Sequence, residues 1–276
     1  MVEKLEQMTL FGVPATVTEV AADATPLPPA VANGPLSAAN ELPAAPSPAG
    51  PSPAALSPDI LVPGQEGFFG VRATRAEALA SLAARARECR RCGLREGCRG
   101  VVFGEGDPDS GIVFLGEAPG AVEDELGRPF VGQAGQLLDR ILLAVGFRRE
   151  QVYITNTALC RPPGNRAPLP EETAACRPWF EERLAVLQPS IIVCLGASAG
   201  RNLLGPEFGI TRDRGRWYSF GQAKLMATFH PAALLRDPAK KRPVWEDLKA
   251  VRAEWTRFRS EPEAARSGGR PIPPGN

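Results

Sequence analysis

From Gly111 onward the chain alternates short apolar runs with longer segments of helical period, and that alternation restricts the fold more than any other feature. GIVFLGEA reads as a buried strand, GQAGQLLDRILLAVG as an amphipathic helix, VYITNT as a strand and PEETAACRPWFEERLAVL as a helix. SIIVCLG then reads as a strand, ASAGRNLL as a short helix, WYSF and KLMATFHP as strands, and KKRPVWEDLKAVRAEWTRFR as a closing helix. Strands separated by helices of that length imply an α/β fold of three layers, α/β/α, around a central and mostly parallel sheet. Upstream, TRAEALASLAARARE starts at Thr74 with a threonine cap and a glutamate three residues on, which predicts a helix that delivers the chain to Cys89.

Such a sheet also predicts where a site sits, because ligands of open α/β sheets lie outside the carboxyl ends of the strands. Three polar clusters fall there: GEAPG after IVFL, Asn156 at the end of VYIT, and His230, the single histidine of the chain, at the end of LMATF.

The residues before the folded part are of another kind. Residues 21–70 are rich in Pro, Ala and Ser and cannot bury enough apolar area to offset their ordering entropy, so a disordered linker is expected there. The domain division read from the sequence is a tail over 1–20, this linker, a folded domain over 71–259 and a second unstructured tail over 260–276. The net charge of +1 averages unlike parts. Residues 1–70 hold seven Asp or Glu and one Lys, net −6, which leaves 31 Lys and Arg against 24 Asp and Glu, net +7, for the remainder. A basic folded part suits a polyanion partner such as DNA, although ordinary solvated surface charge reads the same way.

Six cysteines occur, three of them in CRRCGLREGC. The opening MVEKLEQMTLFG is no signal peptide and no later run reaches membrane-spanning length, so a soluble cytoplasmic protein with reduced thiols and no membrane partner is expected. In that setting Cys89 and Cys92, joined by Cys160 and Cys176, can supply four thiolates to one zinc ion or to a 4Fe-4S cluster; spacing does not choose between them. Cys98, in a loop, and Cys194, in the apolar run IIVCLG, are expected to stand apart from that site.

The series CRRCGL, GEAPGAVEDELGRPFVGQAG, YITNTALCRPPGNRAP, CRPW and FHPAALLR, in this order and spacing, resembles the family 4 (iron-sulfur) uracil-DNA glycosylases over about residues 75–255. The resemblance implies a 4Fe-4S cluster on Cys89, Cys92, Cys160 and Cys176. It also implies a monomeric enzyme associated with the nucleoid, which flips uracil out of DNA and hydrolyses its N-glycosidic bond. No lysine sits in these motifs, which argues against a Schiff-base lyase step.

By the same resemblance Asn156 reads the Watson–Crick edge of uracil, since a carboxamide accepts from N3–H and donates to O4, whereas cytosine presents the reverse. Phe130 is the stacking platform; read alone, a Phe beside Val131 fits a core position. His230 donates to uracil O2, where leaving-group charge develops. Gly116 and Ala118 belong to the catalytic turn, and Ala118 stands where the best-known uracil glycosylases place an aspartate. The carboxylate that positions water or sugar is then Glu117 or Glu123, with Asn165 nearby, and exclusion of thymine falls to Glu123. Read blind, Glu123 and Asp124 are a helix-start pair favoured by the dipole. Leu234 and Leu235 offer a wedge for the hole left by the flipped base and Arg236 a phosphate contact, where the bland reading is the first turn of a packed helix. QMTLF, Gln7 to Phe11, is similar to the QxxLF pattern of sliding-clamp ligands.

Two other readings compete. One is a non-catalytic iron-sulfur DNA-binding protein, a sensor or covalent trap of uracil sites, and the other a nucleotide hydrolase on a similar sheet. The second needs a phosphate cradle or metal carboxylates, which GEAPG supplies poorly.

Overall fold

The computed structural model describes residues 74–260. The clamp-like QMTLF, the proline-rich segment over 21–70 and the residues from 261 onward lie outside the described residues.

Helix α1, Arg75–Arg87, begins as the sequence predicts: the Thr74 side chain accepts from the Glu77 amide, and the Glu77 carboxylate reaches back to the Thr74 amide at 2.7 Å. A single turn, α2 (Leu94–Gly97), follows the first two cysteines. The sheet is built from β1 (Glu105–Gly106), β2 (Ile112–Gly116), β3 (Tyr153–Asn156), β4 (Ile191–Leu195), β5 (Trp217–Phe220) and β6 (Ala223–Thr228), in the spatial order β1-β3-β2-β4-β6-β5. The four inner strands are parallel, with Gly116 opposite Asn156 and Leu195 opposite Thr228, whereas β1 and β5 close the two edges antiparallel.

Between the strands run α3 (Ala121–Leu126), α4 (Gln133–Ala144), α5 (Pro170–Leu187), α6 (Ala197–Leu204), α7 (Ile210–Asp213), α8 (Pro231–Arg236) and α9 (Lys241–Ser260). The β2 run is buried on both faces, and its alternate residues divide between two layers. Ile112 and Phe114 pack with Leu138, Ile141 and Leu142 of α4 and Leu248 and Val251 of α9. Val113 faces Leu79 and Leu82 of α1 and Trp179 of α5, and Leu115 faces Phe180 and Leu184. This is the three-layer α/β/α arrangement that the alternation implies.

Differences from the sequence reading are local. Strand β1 is two residues long and carries no apolar alternation to mark it. Helix α9 includes Ser260, one residue into the segment expected to be unstructured. Leu234, expected to wedge into DNA, is 1% exposed and part of the main core; burial of an apolar side chain on the inner face of α8 outcompetes a surface role, and only Leu235, 46% exposed, points outward.

Candidate active site and cysteine pocket

The carboxyl ends of the four parallel strands bring the polar clusters together. At the end of β2, Gly116 has no side chain because there is no room for one: a Cβ would lie 2.3 Å from the Asn156 Oδ1 and 2.5 Å from the Phe130 ring. These three residues therefore line one small space. Asn156 is 1% exposed, yet its Oδ1 is buried with no hydrogen-bond partner. Buried acceptors are almost always satisfied, and leaving one unmade costs about 1–3 kcal/mol, so this atom is positioned to meet a donor from outside the protein.

Phe130 sits at φ +50, a left-handed conformation that a bulky residue adopts only when its surroundings impose it. Four contacts impose it here. Glu123 accepts the amides of Val131 and Gly132 at 2.9 and 2.8 Å. Arg149, which is mostly buried, donates to the carbonyls of Pro129 and Phe130 and is itself held by Glu105 and Asp139. Gly135 permits the close pass, since a Cβ there would fall 1.9 Å from the Phe130 carbonyl oxygen. The Phe130 ring stands 5.5 Å from that of His230, tilted by 34°.

His230 caps α8: its Nδ1 accepts the Ala232 amide at 3.1 Å. That bond leaves the proton on Nε2, so the imidazole is a neutral donor with its free N–H turned away from its own helix. Burial, assisted by the nearby Arg236 cation and opposed by Glu123, lowers its pKa to about 4. Glu117 follows Gly116; burial raises its pKa above the ordinary value, the Ser198 hydroxyl partly offsets this, and its Oε1 has no partner. The loop behind it is pinned by Thr157, whose amide donates to the Gly116 carbonyl and whose hydroxyl donates to that of Glu117.

Not every expected site residue joins this group. Ala118 is half-buried on the turn after β2. Asn165 stands on an exposed turn, at φ +56, where its Oδ1 accepts from Arg161 Nε at 2.7 Å, and none of its described contacts reaches Phe130, Asn156 or His230. Arg236 is exposed at the end of α8. Glu123 and Asp124 are more than a helix-start pair. Glu123 braces the Phe130 loop, and Asp124 is buried, accepting the Arg99 amide at 2.9 Å. Arg149, Gly135, Ser198 and Thr157 were not marked by the sequence reading.

The second assembly lies at the other end of the 156–160 segment. Cys89, Cys92, Cys160 and Cys176 line one pocket, walled by Leu94, Val101, Leu159 and Trp179. Two sulfurs already receive hydrogen bonds: Trp179 Nε1 donates to Cys89 Sγ at 3.1 Å and the Leu159 amide to Cys176 Sγ at 3.4 Å. Burial pushes the thiols of Cys160 and Cys176 up, a direction that a bound cation would oppose. Among the described residues no three His, Cys, Asp or Glu side chains are gathered for a single metal ion. The donor set itself, four thiols in an apolar pocket with N–H groups aimed at sulfur, fits an iron-sulfur cluster. Cys194 is buried in β4 as expected, whereas Cys98, whose sulfur is hydrogen-bonded to Arg95, lies close enough to Cys160 to add to the upward push on that thiol.

Comparison with known proteins agrees with this geometry. The model of the uracil DNA glycosylase superfamily matches residues 103–249. The chain is 43% identical over 184 residues to the type-4 uracil-DNA glycosylase of Thermotoga maritima, covering 65% of this chain and 96% of the relative. It is 41% identical over 183 residues to that of Archaeoglobus fulgidus, covering 63% and 92%, and 43% identical over 170 residues to that of Pyrobaculum aerophilum, covering 59% and 87%. A match across more than half of the chain, joined to relatives covered almost end to end, establishes that the chain belongs to the uracil-DNA glycosylase superfamily.

Proposed function

We propose that the protein is a monofunctional uracil-DNA glycosylase of the type-4 class in which Asn156 reads the base, Phe130 stacks on it, His230 stabilises the departing uracil and Glu117 positions the attacking water. The observation that carries this reading is the buried, unpartnered Oδ1 of Asn156 beside Gly116 and Phe130. An acceptor held there suits uracil N3–H and repels the unprotonated N3 of cytosine. In the reaction the N1–C1′ bond breaks with its electron pair on uracil, water adds to C1′, and the proton lost by that water passes to Glu117. The products are uracil and an abasic site, with the strand intact. Negative charge gathering on uracil O2 meets the Nε2–H of His230, the nitrogen on which the helix cap places the proton of the neutral ring. A non-catalytic sensor or trap is not favoured, since the relatives named above, at 41–43% identity, are glycosylases.

Incubation with an oligonucleotide carrying one uracil, followed by alkali, tests the reaction. Cleavage at uracil only, and only after alkali, is expected. Cleavage before alkali, or binding with no cleavage, contradicts the reading.

The pH profile tests Glu117. Its folded pKa is raised by burial, so the working carboxylate is lost as pH falls through a value above 4.5, whereas His230 stays neutral until about 4. kcat/KM is expected to show an acid limb above pH 4.5, and Glu117→Gln to remove that limb and lower kcat roughly 10²-fold. An unchanged limb in the variant transfers the role to another group.

Cys89, Cys92, Cys160 and Cys176 would hold a 4Fe-4S cluster, which when bound cross-links α1, the 156–160 loop and α5 and leaves the base chemistry to the residues above. Cys89→Ser is expected to lose bound iron and visible absorption, read by iron assay and spectrophotometry. Wild-type iron content in that variant removes Cys89 from the ligand set. Leu235 and Arg236, exposed beside His230, are the wedge and phosphate contacts of this reading. Gln7–Phe11 would tether the enzyme to a sliding clamp, a role that equal clamp affinity after deletion of residues 1–15 would refute.

A further inference from the structure

Arg183 is the largest fully buried side chain among the described residues, and the reaction as described does not use it. Its guanidinium donates to the Trp179 carbonyl at 3.2 Å, the Phe103 carbonyl at 2.5 Å, the Thr155 hydroxyl, and the Asn156 carbonyl at 2.9 Å. It also lies over the Phe103 ring, 5.2 Å from its centroid. All of these acceptors are neutral. Among the described residues no carboxylate pairs with it, and the ionisable groups that face it are Tyr153 and Cys176. Burial lowers its pKa to about 10, which still leaves it charged at neutral pH.

A buried charge without a counter-charge is unfavourable, and this one shares its helix with Cys176 and Trp179, both of which line the four-cysteine pocket. Cys176, Trp179 and Arg183 follow one another along one face of α5 at three- and four-residue steps. The opposite side of the guanidinium grips the end of β3, where Asn156 begins the five-residue segment that reaches Cys160. That segment is short and pinned: the amides of Thr157, Ala158 and Leu159 donate to the Gly116 carbonyl, the Glu117 carbonyl and the Cys176 sulfur.

We infer that Arg183 is a positioning residue that ties the cysteine pocket to the base-reading carboxamide. On one side its charge balances that of the metal-bound thiolates; on the other its hydrogen bonds fix the Asn156 backbone and so aim Oδ1 into the base pocket. The inference rests on the iron-sulfur reading of the pocket and on the role of Asn156 given above. In iron-loaded protein, four deprotonated cysteines outweigh the positive charge of an iron-sulfur core, so the guanidinium gains the counter-charge that no carboxylate provides. A cation near the cluster also favours its reduced form.

The test compares iron-loaded wild type with Arg183→Lys, Arg183→Gln and Thr155→Val, measuring the midpoint potential of the cluster, inhibition by free uracil and affinity for abasic-site DNA. Lysine keeps the charge but not the fork. Arg183→Lys is expected to leave the potential unchanged and to weaken free-uracil inhibition roughly 10-fold, with abasic-site affinity unchanged. Arg183→Gln is expected to weaken uracil equally and to shift the potential to more negative values. Thr155→Val removes one acceptor of the guanidinium without touching its charge, and weakens uracil by about 3-fold at unchanged potential. It keeps the question open to measurement should either arginine variant fail to fold. A merely structural arginine would lower stability and every affinity together. Wild-type uracil inhibition in Arg183→Lys or Thr155→Val, or wild-type potential in Arg183→Gln, overturns the link alone, whereas iron-free wild-type protein overturns the cofactor reading on which it rests.

Discussion

Replacing Asn156 with alanine is expected to lower kcat/KM for uracil-containing DNA by roughly 10³-fold, because a polar site built to pair with a substrate group loses that whole discrimination when the pair is removed. The variant is not expected to unfold. Asn156 Oδ1 is buried without a partner in the free protein, so truncation removes an unmet acceptor rather than a native bond. Thermal unfolding at a temperature equal to or above that of the wild type, combined with lost excision, is the predicted signature. A fall in stability parallel to the fall in activity would instead assign Asn156 to the framework.

Removal of the His230 imidazole carries the second large effect. The Nδ1 of this ring is committed to the Ala232 amide, which fixes the Nε2–H tautomer, and burial holds the ring neutral down to about pH 4. A donor aimed where charge develops contributes more in the transition state than in the bound substrate. His230→Ala is therefore expected to lower kcat by roughly 10²–10³-fold with KM little changed, read by single-turnover kinetics on a uracil oligonucleotide. Because the ring is neutral throughout, the wild type is expected to show no step near the ordinary histidine pKa. A step at that pH, lost in the variant, would indicate an imidazolium and contradict the tautomer argument.

How much of this was legible in the sequence depended on whether a residue's role follows from its neighbours along the chain. Helices α5 and α6 carry their own boundaries, Pro170 and Leu187, Ala197 and Leu204, because proline starts, glycine stops and apolar period are all local signals. The parallel order of the inner strands follows from the crossover helices between them. Strand β1 does not, because two residues hold no period. The site residues at strand ends were legible through their motifs, and Gly116, Phe130, Asn156 and His230 do meet around one space.

What the sequence hides is support from a distance. Arg149 lies in a polar turn and reads as a solvated charge, yet it reaches nineteen and twenty residues back to the carbonyls of Phe130 and Pro129. Arg183 sits in a helix with charged neighbours, and only the register of α5 against β3 decides that it points inward. Leu234 and Leu235 are indistinguishable as letters, but a rotation of about 100° per residue around α8 buries one and exposes the other. Cys98 looked isolated because loop geometry, not spacing, carries it to Cys160.

If Asn156 Oδ1 pairs with the N3–H of uracil as proposed, inhibition of excision by the free base depends on that one donor. Uracil is expected to inhibit competitively, while 3-methyluracil, which lacks only that donor and adds a methyl where the acceptor stands, is expected to inhibit at least about 10²-fold more weakly. Equal inhibition by the two bases would mean that Oδ1 does not meet N3 and would contradict the account.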